Sequence, residues 1–345
     1  MEEIVKSTVS IIDVMAILEK LPVKNVYVVD EENRIVGSIT DGDIRRYAVA
    51  NRSMEGMAAS CMKSPCIVCY SKEEGLSLLK EHKIHSVPLV DDKGIVREII
   101  YDHEVLKEPT LVDEVYRSIP VVMMAGGKGE RLYPYTSVLP KPLIPIAGTP
   151  IAERILKRFE LAGFTNYILS LNYKKNIIKA YFDDVMNSCS FTYVEETKPL
   201  GTGGSLRLME DLLSDDFFVI NCDMLIDVNL NSLISLHRKE KNIITVVSSL
   251  KQIHIPYGVI ETDENGNILK MVEKPSLEQF INTGMYLVNK EAFKHFPNQE
   301  QFHMTDVIEE LLKNGQKVGI FAISDTAFMD MGVMSELDKM NKKLG

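Results

Sequence analysis

Three glycines and two cations stand close together near the middle of the chain. The segment Gly126-Gly127-Lys128-Gly129-Glu130-Arg131-Leu132 follows the apolar run Ile119-Pro120-Val121-Val122-Met123-Met124-Ala125, and Leu139-Pro140-Lys141-Pro142 comes shortly after. Glycines directly behind a buried strand let the backbone approach a polyphosphate and point N–H groups at it. Ala125, Gly126, Gly127 and Gly129 are therefore candidate polyphosphate contacts. Arg131 offers a guanidinium fork for phosphate oxygens, and Lys141 is a cation on a segment stiffened by two prolines. This set suits chemistry on a polyphosphate. It is not a P-loop, which needs Gly-x4-Gly-Lys-Ser/Thr, and Leu132 stands where a dinucleotide fingerprint needs its third glycine. A glycine turn with solvated charges explains the glycines alone but not the whole set.

The elements that must hold this loop are legible around it. Helices are expected at Ile151–Ala162, Lys175–Val185, Gly204–Leu213 and Met334–Lys343, and strands at Tyr167–Leu171 and Phe217–Asn221. Alternating strands and helices argue for an α/β domain, Rossmann-like, with a mixed, mostly parallel sheet and ligands at the carboxyl ends of its strands.

The set closely resembles the sugar-phosphate nucleotidyltransferase family, whose signature is Gly-Gly-x-Gly-x-Arg-Leu-x-Pro followed by Pro-Lys-Pro. Further segments resemble the family in order. Glu196 with Pro199-Leu200-Gly201-Thr202-Gly203-Gly204 matches a second nucleotide loop, which implies nucleotide contacts at Glu196, Gly201 and Thr202. Asn221-Cys222-Asp223 and Asp330-Met331-Gly332 match the positions of two metal-binding aspartates. Tyr257-Gly258-Val259, Glu273-Lys274-Pro275 and Asn282-Thr283-Gly284 resemble sugar-binding elements, implying contacts from Gly258, Glu273, Lys274, Asn282 and Thr283. The likeness covers 119–345.

The resemblance implies a reaction joining a nucleoside triphosphate to a sugar 1-phosphate, giving a nucleotide-sugar and pyrophosphate. Such transfer rests on positioning and charge neutralisation. Asp223 and Asp330 are expected to hold Mg2+, a hard ion suited to carboxylates and phosphates. Arg131 would take the pyrophosphate end, Lys141 the α-phosphate, Lys274 the sugar phosphate and Glu273 the sugar hydroxyls, making Arg131, Lys141 and Asp223 the catalytic set. The Glu196…Gly204 loop looks more like guanylyltransferases than thymidylyl- or uridylyltransferases. With the front of the chain, it is similar to the glucosamine-1-phosphate guanylyltransferases of bacterial legionaminic acid pathways, implying GTP and glucosamine 1-phosphate as substrates and GDP-glucosamine as product. Mannose-1-phosphate guanylyltransferase and uridylyl- or cytidylyltransferase remain alternatives. The left-handed β-helix of bifunctional members is not expected after the helix at Met334–Lys343. Two readings from other classes are a glycosyltransferase, which usually carries Asp-x-Asp, and a non-catalytic nucleotide sensor. Bland readings also exist: Asp223 as a helix cap, Glu273 with Lys274 as a surface pair, and Cys222 as a small buried residue.

An internal repeat occupies the front of the chain. Leu18-Glu19-Lys20 through Val28-Val29-Asp30 recurs at Leu79-Lys80-Glu81 through Leu89-Val90-Asp91, an offset of 61 residues that falls to 60 beyond the turn. Each copy reads as helix, strand, polar turn and strand, too small to bury a sheet face alone, so the copies should pack on each other. Val28-Val29-Asp30 with Ile35-Val36-Gly37-Ser38-Ile39-Thr40-Asp41-Gly42-Asp43 resembles a cystathionine-β-synthase (CBS) module. The resemblance implies a tandem CBS pair of α+β build at 1–117 (about 1–57 and 58–117), ahead of a transferase domain at 118–345. It also implies an adenine nucleotide held by Thr40 and Asp43. In the second copy Arg97, Ile100 and His103 stand at the positions of Gly37, Thr40 and Asp43, so one intact site per chain is expected. Cys66, Cys69, His82 and His85 mimic a zinc-finger spacing, but the repeat explains that stretch without metal.

The chain has 345 residues, 26% of them charged, with a net charge of −10. That length allows two or three domains. The acidic balance argues against a nucleic-acid or membrane partner, and no apolar run reaches membrane length. The first residues lack signal-peptide features, and five cysteines read as reduced thiols, so a cytoplasmic protein is expected. CBS pairs often associate between chains, which makes a homo-oligomer the expectation.

Overall fold

The computed structural model describes residues 3–21, 23–51, 53–82, 84–101, 112–186, 189–332 and 334–344. His103 and the connection at Pro109–Leu111 lie outside them. Two compact units form: residues 1–110 with 250–280, and residues 111–249 with 281–345.

The first unit displays the repeat. Copy one runs β1 (Ile4–Lys6), α1 (Ile11–Lys20), β2 (Asn25–Val29), β3 (Ile35–Thr40) and α2 (Asp41–Asn51); copy two runs α3 (Lys72–His82), β4 (Ser86–Val90) and β5 (Val96–Tyr101). Both hairpins are antiparallel and share one irregularity, between Val28 and Val29 and between Leu89 and Val90. Their turns are built alike. Asp30 Oδ1 accepts from the N–H groups of Glu32 and Arg34, and Asp91 Oδ1 from those of Lys93 and Ile95. Asn33 and Gly94 take the same left-handed backbone, at φ 63 and 78.

These matches correct the alignment beyond the turn. No residue is lost there, so Gly37 and Thr40 correspond to Glu98 and Tyr101, not to Arg97 and Ile100. The adjacent apolar pair Ile99-Ile100 hides the period-2 alternation that would otherwise set the register. The copies pack on each other as expected: Tyr27, Val90, Val96 and Ile99 share a core, and Tyr27 OH lies 2.9 Å from Ser86 Oγ. Residues 250–280 add a hairpin (Val259–Thr262 with Ile268–Val272), and Leu250 and Phe280 join the core of copy one. Glu278 Oε2 accepts from Ser53 Oγ at 2.9 Å and Met54 N–H at 2.7 Å.

The second unit is an α/β layer structure. Its strands are β6 (Val121–Met124), β7 (Asn166–Leu171), β8 (Ser190–Glu195), β9 (Asp216–Asn221), β10 (Met224–Ile226), β11 (Ile244–His254), β12 (Ser276–Asn289), β13 (Val318–Ser324) and β14 (Phe328–Asp330), with residues 250–254 of β11 and 276–280 of β12 counted in the first unit. Its main helices are α4 (Ile151–Leu161), α5 (Lys175–Val185), α6 (Leu230–Glu240), α7 (Met304–Lys313) and α8 (Met334–Leu344). The seven-stranded sheet has the order β8-β7-β6-β9-β12-β11-β13. Neighbours from β8 to β9 are parallel and β12 is antiparallel to β9, so the sheet is mixed and mostly parallel.

Both faces of the sheet are covered, which explains its continuous apolar strands. Val121 and Met123 point into one core with Phe159, Phe164, Phe182 and Leu233, while Val122 and Met124 point into the other with Leu206, Met209, Val307 and Leu311. In α4, Ile151, Ile155 and Phe159 form the buried stripe of an amphipathic helix. Burying each such side chain contributes roughly 1.5–3 kcal/mol. The segment expected as a helix at Gly204–Leu213 is instead one α-turn (Gly201–Gly204) followed by a 3-10 stretch (Ser205–Leu212). Its glycines disfavour a longer α-helix.

Candidate active site

From β6 the chain builds outward to β7 and β8, then returns to β9 on the other side of β6. A switch point of this kind leaves a crevice at the carboxyl ends of the two central strands. The glycine segment leaves the end of β6, and Asn221-Cys222-Asp223 leaves the end of β9. Gly126, Gly127, Lys128, Gly129, Arg131, Lys141, Asn172, Pro199 and Gly332 line a common cleft of about 530 Å3, within the size range of small-ligand sites.

Local contacts shape the glycine loop. Among the described residues, the N–H groups of Gly126, Gly127, Lys128 and Gly129 have no protein acceptor, the arrangement an anion would complete. Ala125 is spent on the sheet, its N–H donating to Ser170 O at 2.9 Å. Gly129 has φ 68, and a Cβ there would lie 2.9 Å from Lys141 Cβ and from Thr136 Cγ2. Only glycine suits that position. Leu132, buried at 1%, anchors the short 3-10 turn that leaves Arg131 exposed.

Two aspartates meet opposite the loop. Strand β10 pairs antiparallel with β14, setting Met224 against Asp330, and Met331 N–H donates to Asp223 O at 2.9 Å. Asp223, 7% exposed, forms an ion pair with Lys141. It is followed by a strand, so it caps no helix. Asp330 Oδ1 accepts from Gly332 N–H at 2.6 Å. Burial raises the Asp330 carboxyl above its ordinary value, the Asp223 charge raises it further, and Lys141 and Arg131 act in the opposite sense. Two carboxylates that repel each other in a partly buried site make an oxygen donor set for a divalent cation. Among the described residues no third His, Cys, Asp or Glu joins them. A Mg2+ here would draw its remaining oxygens from phosphate and water, the usual arrangement for that ion. Burial pushes the Cys222 thiol up to about 12, so it is no nucleophile at neutral pH.

The second loop is a scaffolded turn. Glu196 Oε1 accepts from Ser170 Oγ at 2.7 Å and Ser205 Oγ at 2.9 Å, and its Oε2 from Leu200 N–H at 3.2 Å. Both carboxylate oxygens of Glu196 thus tie the loop to the sheet. The N–H groups of Gly203 and Gly204 donate to Phe302 O, and Thr202 Oγ1 accepts from Met304 N–H at 3.1 Å. Gly201 has φ 78. Asn282 Nδ2 donates to Tyr286 OH, and the fully buried Thr283 donates to Val247 O at 2.7 Å, so both side chains serve the fold around β12.

Gly258, Glu273 and Lys274 lie in the first unit, at the base of the hairpin. A Cβ on Gly258 would come within 2.9 Å of Glu273 Oε2, and Lys274 N–H donates to Tyr257 O at 3.2 Å. Thr40 and Asp43 cap α2 reciprocally. Asp43 Oδ2 accepts from Thr40 N–H at 2.8 Å and Thr40 Oγ1 at 2.5 Å, while Arg46 donates to Oδ1. In copy two, Cys69 is fully buried and its thiol faces Pro88 O at 3.5 Å, while His82 and His85 are exposed.

Two residues, one in the cleft and one beside the second loop, escaped sequence reasoning. Asn172 is one, and its position directly after β7 was the available signal, since ligands gather at strand ends. His303 is the other: its Nδ1 lies 3.4 Å from Thr202 N, and it caps α7 together with Asp306. Its partner is 101 residues distant in sequence, beyond any local pattern.

Residues 120–345 match the family described as nucleotidyl transferase, about two thirds of the chain, and residues 3–50 match the CBS domain. The chain belongs to the nucleotidyl transferase family. Among its relatives, the D-glycero-alpha-D-manno-heptose 1-phosphate guanylyltransferase of Campylobacter jejuni is 32% identical over 61% of this chain and 94% of its own length. The mannose-1-phosphate guanylyltransferase of Mycobacterium tuberculosis is 32% identical over 62% and 61%. The UTP–glucose-1-phosphate uridylyltransferase of Synechocystis is 32% identical over 61% and 59%, so the chain spans about three fifths of that relative. The crystal structure of HddC from Yersinia pseudotuberculosis complexed with GMP-PN is 26% identical, with a TM-score of 0.51 over 66% of this chain and all of that one. Among the described residues no helix is long and apolar enough to cross a membrane.

Proposed function

We propose that the chain transfers a nucleotidyl group from a nucleoside triphosphate to a sugar 1-phosphate, releasing pyrophosphate. The observation that carries this reading is the convergence of the free N–H row, Arg131, Lys141 and the Asp223/Asp330 pair at one switch point. The sugar phosphate oxygen bonds to the α-phosphorus as the bond to the β-phosphate oxygen breaks. The nucleophile is already an anion and needs no general base. Gly126–Gly129 hold phosphate oxygens, Arg131 takes the departing pyrophosphate, and Lys141 moves from Asp223 to the α-phosphate. Asp223 and Asp330 hold Mg2+, which when bound supplies charge neutralisation at the phosphates. Glu273 and Lys274 serve the sugar phosphate.

GTP and glucosamine 1-phosphate are the proposed pair, with GDP-glucosamine as product for bacterial nonulosonate or surface-glycan synthesis. Support for GTP comes from the guanylyltransferases among the relatives and from the GMP-PN complex of HddC. The CBS pair is proposed to bind an adenine nucleotide and alter the rate, in a cytoplasmic homo-oligomer. Pyrophosphate release with Mg2+ tests the whole reading, crossing GTP, UTP, CTP, ATP and dTTP against glucosamine, mannose, glucose and N-acetylglucosamine 1-phosphates. GTP with glucosamine 1-phosphate should dominate. Activity confined to UTP would overturn the base assignment, and full activity of Asp223→Asn with unchanged Mg2+ dependence would overturn the metal site.

A further inference from the structure

Between Arg131 and Lys141 the chain makes a short helical turn, Tyr135–Val138, whose C-terminal carbonyls point to one side chain. Lys174 Nζ donates to Ser137 O at 2.5 Å and Val138 O at 2.7 Å, and it lies 3.5 Å from Thr136 O. Three carbonyls match the three donors of an ammonium group. Tyr173 OH also donates to Thr136 O at 3.3 Å, and Lys174 Nζ stands 5.3 Å from the Tyr173 ring centre. Among the described residues Lys174 has no carboxylate partner, and its ammonium faces the carbonyls of this turn and the Tyr173 ring. Its backbone is left-handed, φ 51, which a lysine rarely adopts, and strain of this kind collects where geometry is functional.

The anchor is rigid. Lys174 stands three residues past the end of β7, a strand buried along its length, and the intervening Asn172 lines the cleft. Thr136 is itself wedged against Gly129, whose other close neighbour is Lys141. A cation just past the carboxyl end of β7 thus grips the middle of the segment that presents both phosphate-binding cations. We infer that Lys174 is a positioning residue for the nucleoside triphosphate, holding Arg131 and Lys141 in their binding geometry without touching the phosphates itself. This rests on the transferase reading above, and it assigns Lys174 to the triphosphate rather than to the sugar phosphate.

Three variants test it: Lys174→Met removes the donors, Lys174→Arg keeps donors of another shape, and Lys174→Gly removes the grip while accepting the left-handed backbone freely. The Gly variant keeps the test valid if the Met variant folds poorly. For Met and Gly we expect the KM for GTP to rise about tenfold, with the KM for the sugar 1-phosphate unchanged within twofold. Hydrogen exchange at 135–141 should quicken while that of β6 stays slow, and Arg should restore most of the GTP affinity. Both KM values moving together, or exchange at 135–141 matching the wild type, overturns the inference. Calorimetry with GTP and Mg2+ separates it from the reading beneath it. A wild type that binds GTP without turnover refutes the transferase assignment only, and a tenfold weaker Kd in Lys174→Met then still supports the inference. Equal Kd values, or a wild type that binds neither GTP nor pyrophosphate, overturn it.

Discussion

Replacing Gly129 by alanine should damage the cleft by an amount the structure allows to be worked out. An L-residue in the left-handed region costs about 1–2 kcal/mol. The new Cβ would also stand 2.9 Å from Lys141 Cβ and Thr136 Cγ2, inside the roughly 3.5–4.0 Å of a normal carbon contact. Thr136 is 5% exposed and cannot swing away, so overpacking adds about 1–3 kcal/mol. Part of the total is released if the loop shifts, and such a shift displaces Lys141 from its place beside Asp223. A residual loss of about 2–4 kcal/mol in transition-state binding corresponds to a thirty- to thousandfold fall in kcat/KM. Pyrophosphate release measures the activity, and thermal unfolding measures whatever fraction stays as strain. Gly127→Ala is the control. A Cβ at Gly127 meets no heavy atom within 4 Å, so stability should hold within about 0.5 kcal/mol while the KM for the triphosphate rises. If Gly129→Ala kept both its melting temperature and its kcat/KM within twofold, the reasoning would be refuted.

Other outcomes follow from the same contacts. Burial would raise the Asp216 carboxyl, but His237, Asn289 and Arg238 outweigh it and hold it near 2. Its ionised form therefore contributes about 1–2 kcal/mol after solvent screening, fully present above pH 4 and lost as pH falls from 3.8 towards 2. The gap in urea midpoint between wild type and Asp216→Asn should shrink over that window, and a gap independent of pH would disprove the account. Cys222 should resist maleimide at pH 8 in the folded protein and react only after denaturation; mass spectrometry showing early labelling would contradict its burial. Thr40→Ala should cost about 1 kcal/mol in urea unfolding even without nucleotide, because it removes a helix cap, and unchanged stability would deny that role. Calorimetry of the full chain with AMP, ADP and ATP checks the CBS site separately, and no heat from any of them leaves Thr40 and Asp43 as a cap alone.

The sequence by itself determined the kind of fold and the chemistry near the glycines, because those depend on short-range patterns. An apolar run into Gly126-Gly127-Lys128-Gly129 can be read from neighbours in the chain, as can the alternation of strands and helices and the 61-residue repeat. The strands expected at Tyr167–Leu171 and Phe217–Asn221 each came within a residue, since burial on both faces leaves a continuous apolar signature. What the tertiary structure decided were relations between distant segments. It brought Asp223 to Asp330 through the pairing of two three-residue strands, too short to announce themselves. It tied Glu196 both to the sheet and to the following turn, through Ser170 and Ser205, which come from other elements. It set Thr283 inside the sheet, moved the repeat alignment by one residue, and revealed Lys174 beneath the turn at 136–138. Motifs record which residue types a site needs, but which oxygen faces which donor depends on packing, and packing joins residues that no local spacing connects.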